Sequence, residues 1–209
     1  MNIKTVENEQ DLKKVFNFLS ELFYDEAKEY NEHYYTMSER YIEMVHQLKK
    51  DKDLLLYIEE DGKIIAGLTS KNMNAEKKKI TLGVMAVDKN HRGKGYARAL
   101  VEEFEKRCKK KGLLHIDLGA RIRACHLYQK LNYTPSLMVQ VFDFNTIEDV
   151  KKANTLKLEV GFSWQGGTYG FVFFKTPKIS EKYIKHFENK VKTAQAQYIF
   201  EKDLWYGSL

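Results

Sequence analysis

The spacing of hydrophobic positions changes along the chain, and each change marks an element. Asn2 to Val6 alternates and predicts a short strand. Leu12, Val15, Phe16, Leu19, Leu22 and Phe23 recur at helical spacing, with Asp11 placed as a cap. Tyr41, Ile42, Val45 and Leu48 predict a second helix over 38–50. The period then falls to two. Leu54 to Glu59, Ile64 to Ser70 and Ile80 to Val87 predict three strands. Glu60-Asp61-Gly62-Lys63 makes the hairpin turn between the first two, residues 72–78 form a polar turn, and Gly67 marks a candidate bulge. Ala97, Leu100, Val101, Phe104 and Cys108 return to the helical period, and Gly112 stands where a glycine ends a helix. A buried strand over Leu113 to Leu118 follows, then a helix from Ile122 to Leu131. Asn132 closes that helix, since Asn is the best substitute for Gly in the left-handed conformation required there. Leu137 to Phe144 reads as another strand.

Beyond Asn145 the pattern changes character. Thr146 and Asp149 form a capping pair at the start of a short helix. Residues 156–164 and 168–175 alternate on either side of Gln165-Gly166-Gly167, a strong hairpin signal. Phe162, Trp164, Tyr169, Phe171, Phe173 and Phe174 load this hairpin with aromatic rings, which are expected to be buried. Ser180 caps a helix through Tyr183, Ile184, Phe187, Val191 and Ala194, and Tyr198 to Trp205 is a last strand. Counted from the strand over 137–144, the order is β-α-β-β-α-β, that of a ferredoxin-like unit. A degenerate partial copy of the first domain is the alternative. Acceptor selection, dimerisation and coverage of an edge strand are its candidate roles.

Composition narrows the class. The chain has 209 residues, 43% of them hydrophobic, which suits one domain with a smaller appendage. The formal net charge of +6 fits an anionic small ligand or weak nucleic-acid affinity and decides between neither. The densest basic cluster, Lys106-Arg107 with Lys109-Lys110-Lys111, falls at a helix end, where cations cap the dipole and aid solubility. Nucleic acid is therefore not expected as a partner. No stretch approaches the roughly 18 apolar residues of a membrane span. The start of the chain is too polar for a signal peptide, so no membrane and a cytoplasmic location are expected. The two cysteines have no metal or redox spacing. Cys108 reads as core and Cys125 as partly exposed. No metal is expected.

The chemistry concentrates in Val84-Met85-Ala86-Val87-Asp88-Lys89-Asn90-His91-Arg92-Gly93-Lys94-Gly95-Tyr96-Ala97-Arg98-Ala99-Leu100. An apolar strand runs into a basic, glycine-punctuated turn and then into a helix. Glycines let backbone N–H groups approach a ligand, and the helix dipole favours negative charge there. A P-loop would need Ser or Thr after Lys94, where Gly95 stands. A dinucleotide fingerprint would need its third glycine where Arg98 stands.

What remains, Asn90-His91-Arg92-Gly93-Lys94-Gly95-Tyr96-Ala97 after a strand, resembles the acyl-CoA motif of the GNAT superfamily of N-acetyltransferases, Gln/Arg-x-x-Gly-x-Gly/Ala. Ala124-Cys125-His126-Leu127-Tyr128-Gln129-Lys130-Leu131-Asn132-Tyr133 resembles its second motif, Ala-x-x-Leu/Phe-Tyr-x-Lys-x-Gly-Phe, with Asn132 for Gly and Tyr133 for Phe. The element order agrees over residues 1–144. The resemblance implies an α+β (α/β/α layered) fold, with a central, mostly antiparallel twisted sheet flanked by helices. Residues 1–144 would be the acetyl-CoA-binding domain and 145–209 a small C-terminal α+β extension. It implies acetyl-CoA as co-substrate and an amine acceptor as partner. Met85, Ala86 and Val87 would hold pantetheine, and Arg92, Gly93, Lys94, Gly95, Tyr96 and Ala97 the pyrophosphate. Tyr128 would be the general acid on the departing thiolate, with packing on the sheet as its competing role. Arg121 or Arg123 would meet the 3′-phosphate.

A general base is less evident, since Ile80 to Val87 carries no carboxylate. His115 and Asp117 alternate in phase and share a sheet face. A carboxylate beside a histidine has the altered proton affinity that a base needs, while a structural polar pair is the competing reading. Glu26, Glu29, Glu32 and His33 are candidates to bind a cationic amine. The predicted activity is acetyl transfer to an amine by direct attack in a ternary complex, the alternative being a non-catalytic CoA-binding sensor or scaffold. A homodimer is a further possible state.

Overall fold

The computed structural model describes residues 1–30, 37–142, 146–176 and 178–205, with backbone alone for 23–30, 37 and 38. The acidic, aromatic stretch that contains Glu26, Glu29, Glu32 and His33 lies outside the described side chains. Two compact units emerge, Met1–Ile116 with Asp203–Leu209, and Asp117–Lys202. This division follows compactness, whereas a boundary at 144/145 marks where the motif resemblance ends.

In the first unit, β1 (Ile3–Thr5), β2 (Leu56–Glu60), β3 (Lys63–Asn74) and β4 (Lys79–Val87) stand side by side in that order, all antiparallel. Helices α1 (Glu9–Tyr30) and α2 (Met37–Asp51) precede β2. Helix α1 starts before Asp11 because Asn8 is the cap: its Oδ1 accepts the Asp11 N–H at 3.0 Å. Asp11 turns back to accept the Glu7 N–H at 3.3 Å. The apolar stripe of α1 closes on Val6, Met44, Leu55 and Tyr57, and Val84 and Ala86 of β4 pack against the same cluster.

Gly67 is not a bulge. It pairs regularly with Tyr57 and Ala86, and a Cβ there would come within 3.5 Å of Val15 and Leu19. The glycine is where α1 rides close to the sheet. The register shifts fall instead between Ile58 and Glu59, between Leu68 and Ser70, and between Lys71 and Asn74.

Helix α3 (Tyr96–Lys110) follows β4 and buries Leu100, Val101, Phe104 and Cys108, at about 1.5–3 kcal/mol for each large side chain. Gly112, at φ +72°, ends it. The basic cluster at this end anchors the helix as well as capping it. Arg107 donates to Thr5 Oγ1 at 2.7 Å and to the Asp53 carbonyl at 2.9 Å. Lys111 bridges Asp51 and Asp53, both at 2.8 Å, and its ammonium holds the Asp53 carboxyl below the usual carboxylate range.

Strand β5 (His115–Ala120) leads into the second unit. There follow α4 (Ile122–Lys130), β6 (Thr134–Phe142), α5 (Ile147–Ala153), β7 (Glu159–Gly166), β8 (Tyr169–Lys175), α6 (Glu181–Lys190) and β9 (Gln195–Asp203). The strand order is β5-β9-β6-β8-β7, with β9–β6, β6–β8 and β8–β7 antiparallel. The last strand thus inserts between β5 and β6, and the β7–β8 hairpin extends the sheet beyond β6. Asn132 takes φ +61° after α4. Thr146 and Asp149 close the capping box on α5, and the Ser180 side chain caps α6.

Alternation splits the hairpin's aromatics. Phe174 and Val172 are buried with Val150 of α5 and Phe187 of α6, the Phe174 and Phe187 rings stacking at 4.9 Å. Phe162 and Trp164 point the other way and stay exposed, which corrects the expectation that the whole set is buried.

Candidate active site

The loop between β4 and α3 is built by four local devices. The Asp88 N–H donates to the Ile65 carbonyl at 2.8 Å, while its side chain accepts the Asn90 N–H at 3.0 Å and caps a 3₁₀ turn over Lys89–His91. The His91 ring, 2.7 Å from Asp88 Oδ1, holds that carboxyl below its usual range. Arg92 Nε donates to the Val87 carbonyl at 3.1 Å, tying the loop to the strand end. Gly93 and Gly95 take φ +77° and +88°, conformations that L side chains rarely adopt.

Gly95 is also the residue before the first turn of α3, and no side chain caps that turn. The first helical bond is Ala99 N–H to Gly95 O at 3.0 Å, so the N–H groups preceding it point forward from the helix end. Among the described residues, and apart from each glycine's own chain neighbours, nothing lies within 4 Å of where a Cβ on Gly93 or Gly95 would sit. The loop thus offers open space, bare donors, a helix dipole and the exposed side chains of Arg92 and Lys94. A pyrophosphate fits this chemistry. Tyr96 and Ala97 are half-buried; the Tyr96 hydroxyl donates to Glu60 on β2, and that bond raises its pKa.

Met85, Ala86 and Val87 are half-buried and pair with Leu68, Gly67 and Ala66. Just before them β4 carries a bulge, since Leu68 pairs with Met85 but Ser70 with Leu82. Thr69 fills it: its Oγ1 accepts the Val84 N–H at 2.9 Å and stands 3.0 Å from where a Cβ on Gly83 would be. A bulge turns the strand's backbone groups out of the ladder. Sequence reading missed this feature, and Gly83 inside a strand was the signal for it.

His115 sits elsewhere in the first unit. Its N–H donates to the Lys78 carbonyl at 3.0 Å, beside the start of β4. At about 3.3 Å per residue, roughly 25 Å of strand separates it from the loop. Its Nδ1 lies 2.5 Å from Asp203 Oδ1, and the Trp205 ring meets it edge-on. His115 is thus part of a surface pair at the far end of β4.

In the second unit Asp117 is half-buried on β5, between the buried Ile116 and Leu118. Tyr128 is 4% exposed, edge-on to Tyr133 at 5.6 Å and tilted on Phe200 at 5.5 Å. Burial pushes its hydroxyl well above the ordinary tyrosine pKa, so it stays protonated at neutral pH. Cys125 is buried, not partly exposed. Its Sγ donates to the Arg121 carbonyl at 3.3 Å, and burial pushes the thiol up to about 12.

The family model of the acetyltransferase (GNAT) family matches residues 12–133, more than half of the chain. The chain belongs to that family. Among solved structures it is similar to Naa20 of Chaetomium thermophilum, in complex with a bisubstrate analogue, at 14% identity and a TM-score of 0.53, covering 97% of this chain and 86% of that one. A GNAT acetyltransferase of Staphylococcus aureus Mu50 aligns at 14% identity and 0.52, covering 82% and 99%. Ard1 of Thermoplasma volcanium aligns at 14% and 0.51, covering 83% and 95%. At such identities the likeness carries the fold, which is the α+β fold of GNAT acetyltransferases. No curated protein matches the sequence. Membership places acyl transfer from acetyl-CoA in this chain and leaves acceptor and proton path to its own residues. Among the described residues no helix is long and apolar enough to cross a membrane.

Proposed function

We propose that this GNAT protein is an N-acetyltransferase that moves an acetyl group from acetyl-CoA to an amine by direct attack in a ternary complex. The observation that carries the reading is the pair of left-handed glycines, Gly93 and Gly95, opening α3 with no capping side chain, where an added Cβ would meet nothing within 4 Å among the described residues. The amides of the first turn, with Arg92 and Lys94, hold the pyrophosphate of the co-substrate. Met85, Ala86 and Val87, which follow the β4 bulge, hold pantetheine through backbone groups. Such positioning places the thioester for attack and removes much of the entropic barrier.

The amine lone pair attacks the thioester carbonyl carbon, the C–S bond breaks, and sulfur leaves with the electron pair. Tyr128 donates its proton to that sulfur. A burial-raised pKa keeps the donor loaded across the neutral range, and such a proton transfer contributes about 10²–10⁴-fold. The proton lost by the amine passes to water, since Asp117 lies only two residues along β5 from His115. His115 has no part, because it stands at the far end of β4 and is bound to Asp203. Both cysteines are free and buried, which suits a reducing, cytoplasmic compartment.

A thiol-reagent assay of CoA release over a panel of polyamines, amino acids, peptides and aminoglycosides tests the proposal. The buried cysteines keep the background low. Release with at least one amine class is expected. Acetyl-CoA binding without release from any of them would instead support a sensor or scaffold.

A further inference from the structure

Strand β7 ends the sheet and, past the irregularity between Val160 and Phe162, is unguarded. Its eight residues, Glu159–Gly166, contain no Lys and no Pro, and among the described residues nothing pairs with its outer side. Natural edge strands of this length usually carry such residues to prevent pairing with another chain. The single charge, Glu159, is neutralised by Lys175 of β8 at 2.5 Å.

The face above this edge is aromatic and ordered. Phe162 is 56% and Trp164 46% exposed, beside the half-buried Tyr169, Phe171 and Phe173 of β8. Trp164 stacks on Phe171 at 5.6 Å and 28°. A Cβ on Gly166 would come 2.6 Å from the Trp164 ring, so the indole is folded flat across that glycine. Helices α5 and α6 cover the opposite face, where Phe174 and Phe187 meet. A fixed aromatic row needs little ordering on association, which favours its use as an anchor.

We propose that β7 binds a second copy of this chain, edge to edge and antiparallel, across a two-fold axis at Trp164. The charge pattern selects this occupant. A nucleic acid would need cations, yet β7 has none and Lys175 is bound to Glu159. Two identical edges related by a two-fold pair in antiparallel fashion and satisfy each other's backbone groups. The shift between Val160 and Phe162 leaves Phe162–Gly166 as the regular segment. Centred on Trp164, Phe162 of each copy faces the partner's Gly166, the two indoles lie side by side, and each Glu159 falls beyond the end of the partner strand. Parallel pairing would set Glu159 against Glu159. Aromatic cross-strand neighbours of this kind add stability.

Sedimentation velocity on the full chain over about 1–100 µM, together with hydrogen exchange, tests the proposal. A concentration-dependent dimer is expected, with amides of 162–166 more protected at high concentration. Trp164→Lys, a gatekeeper at an exposed position, should raise the dissociation constant by about tenfold or more. A monomer throughout the range overturns the proposal. So does a dimer that ignores Trp164→Lys and leaves β7 amides equally exchangeable at both concentrations. The exchange experiment on the unaltered chain decides the matter even if the variant misfolds.

Discussion

The loop before α3 and the β7–β8 hairpin both depend on glycine, for opposite reasons. Gly93 and Gly95 supply a left-handed backbone and leave their surroundings empty. Gly166 and Gly170 have ordinary φ but crowded surroundings: a Cβ would meet Trp164 at 2.6 Å and Ile147 at 3.0 Å. Glycine in the first region keeps space for a ligand. In the second it lets the protein's own rings and α5 close in. Positive φ with open space also describes Gly62, Gly112 and Gly167, so the uncapped helix start after Gly95 is what sets the α3 loop apart.

The comparison extends to tyrosines, where the largest effect is expected. Tyr128→Phe should lower turnover by about 100-fold or more with little change in KM, as loss of a proton donor does. Tyr169→Phe on the hairpin loses only a hydroxyl bonded to Gln140 at 2.8 Å and should leave turnover unchanged. Steady-state kinetics on the two variants reads the difference, and equal losses would break it.

Next in size is the glycine contrast itself. Gly95→Val should weaken acetyl-CoA binding by about 10–100-fold, from strain plus a blocked cradle. Gly166→Val should leave that affinity unchanged and instead displace Trp164, visible in indole emission. Calorimetry and fluorescence separate the two. A Gly95→Val protein that binds normally would mean the open space is not the ligand's.

A smaller effect joins the regions. Cys108 in the first unit and Cys125 in the second have burial-raised pKa values, Cys125 going from 9.0 to about 12. Native burial favours the protonated thiols. Their stabilisation is therefore fully present below pH 9.0 and lost as pH rises towards 12. Denaturation midpoints should fall over that interval, and Cys125→Ala should flatten part of the fall. No slope above pH 9.0 would contradict the burial of these thiols.

The features legible in the sequence are those that local chemistry decides. The α3 loop, Gly112, the left-handed Asn132, the Thr146–Asp149 box and the Ser180 cap each depend on residues a few positions apart. Helix α1 starts three residues before the position its apolar spacing predicts because Asn8 and Asp11 both present capping oxygens, and only their bonds with the Asp11 and Glu7 amides separate them. The β4 bulge was hidden because it is set by Thr69, fifteen positions before Val84. Alternation on β7 was readable, but which face finds helices depends on where α5 and α6 return. Strand β9 begins earlier than its apolar run because Gln195, Ala196 and Gln197 already pair with Gln140, Val139 and Met138 of β6. His115 matched the chemistry of a base and failed on position, which only the pairing with Lys78 reveals.

Calorimetric titration of the full chain with acetyl-CoA tests the central claim, that the loop opening α3 is a pyrophosphate cradle. Saturable binding of one acetyl-CoA per chain is predicted, in the micromolar range typical of such co-substrates, weakened by Lys94→Ala. No binding at millimolar acetyl-CoA, or binding indifferent to both Lys94→Ala and Gly95→Val, would contradict it.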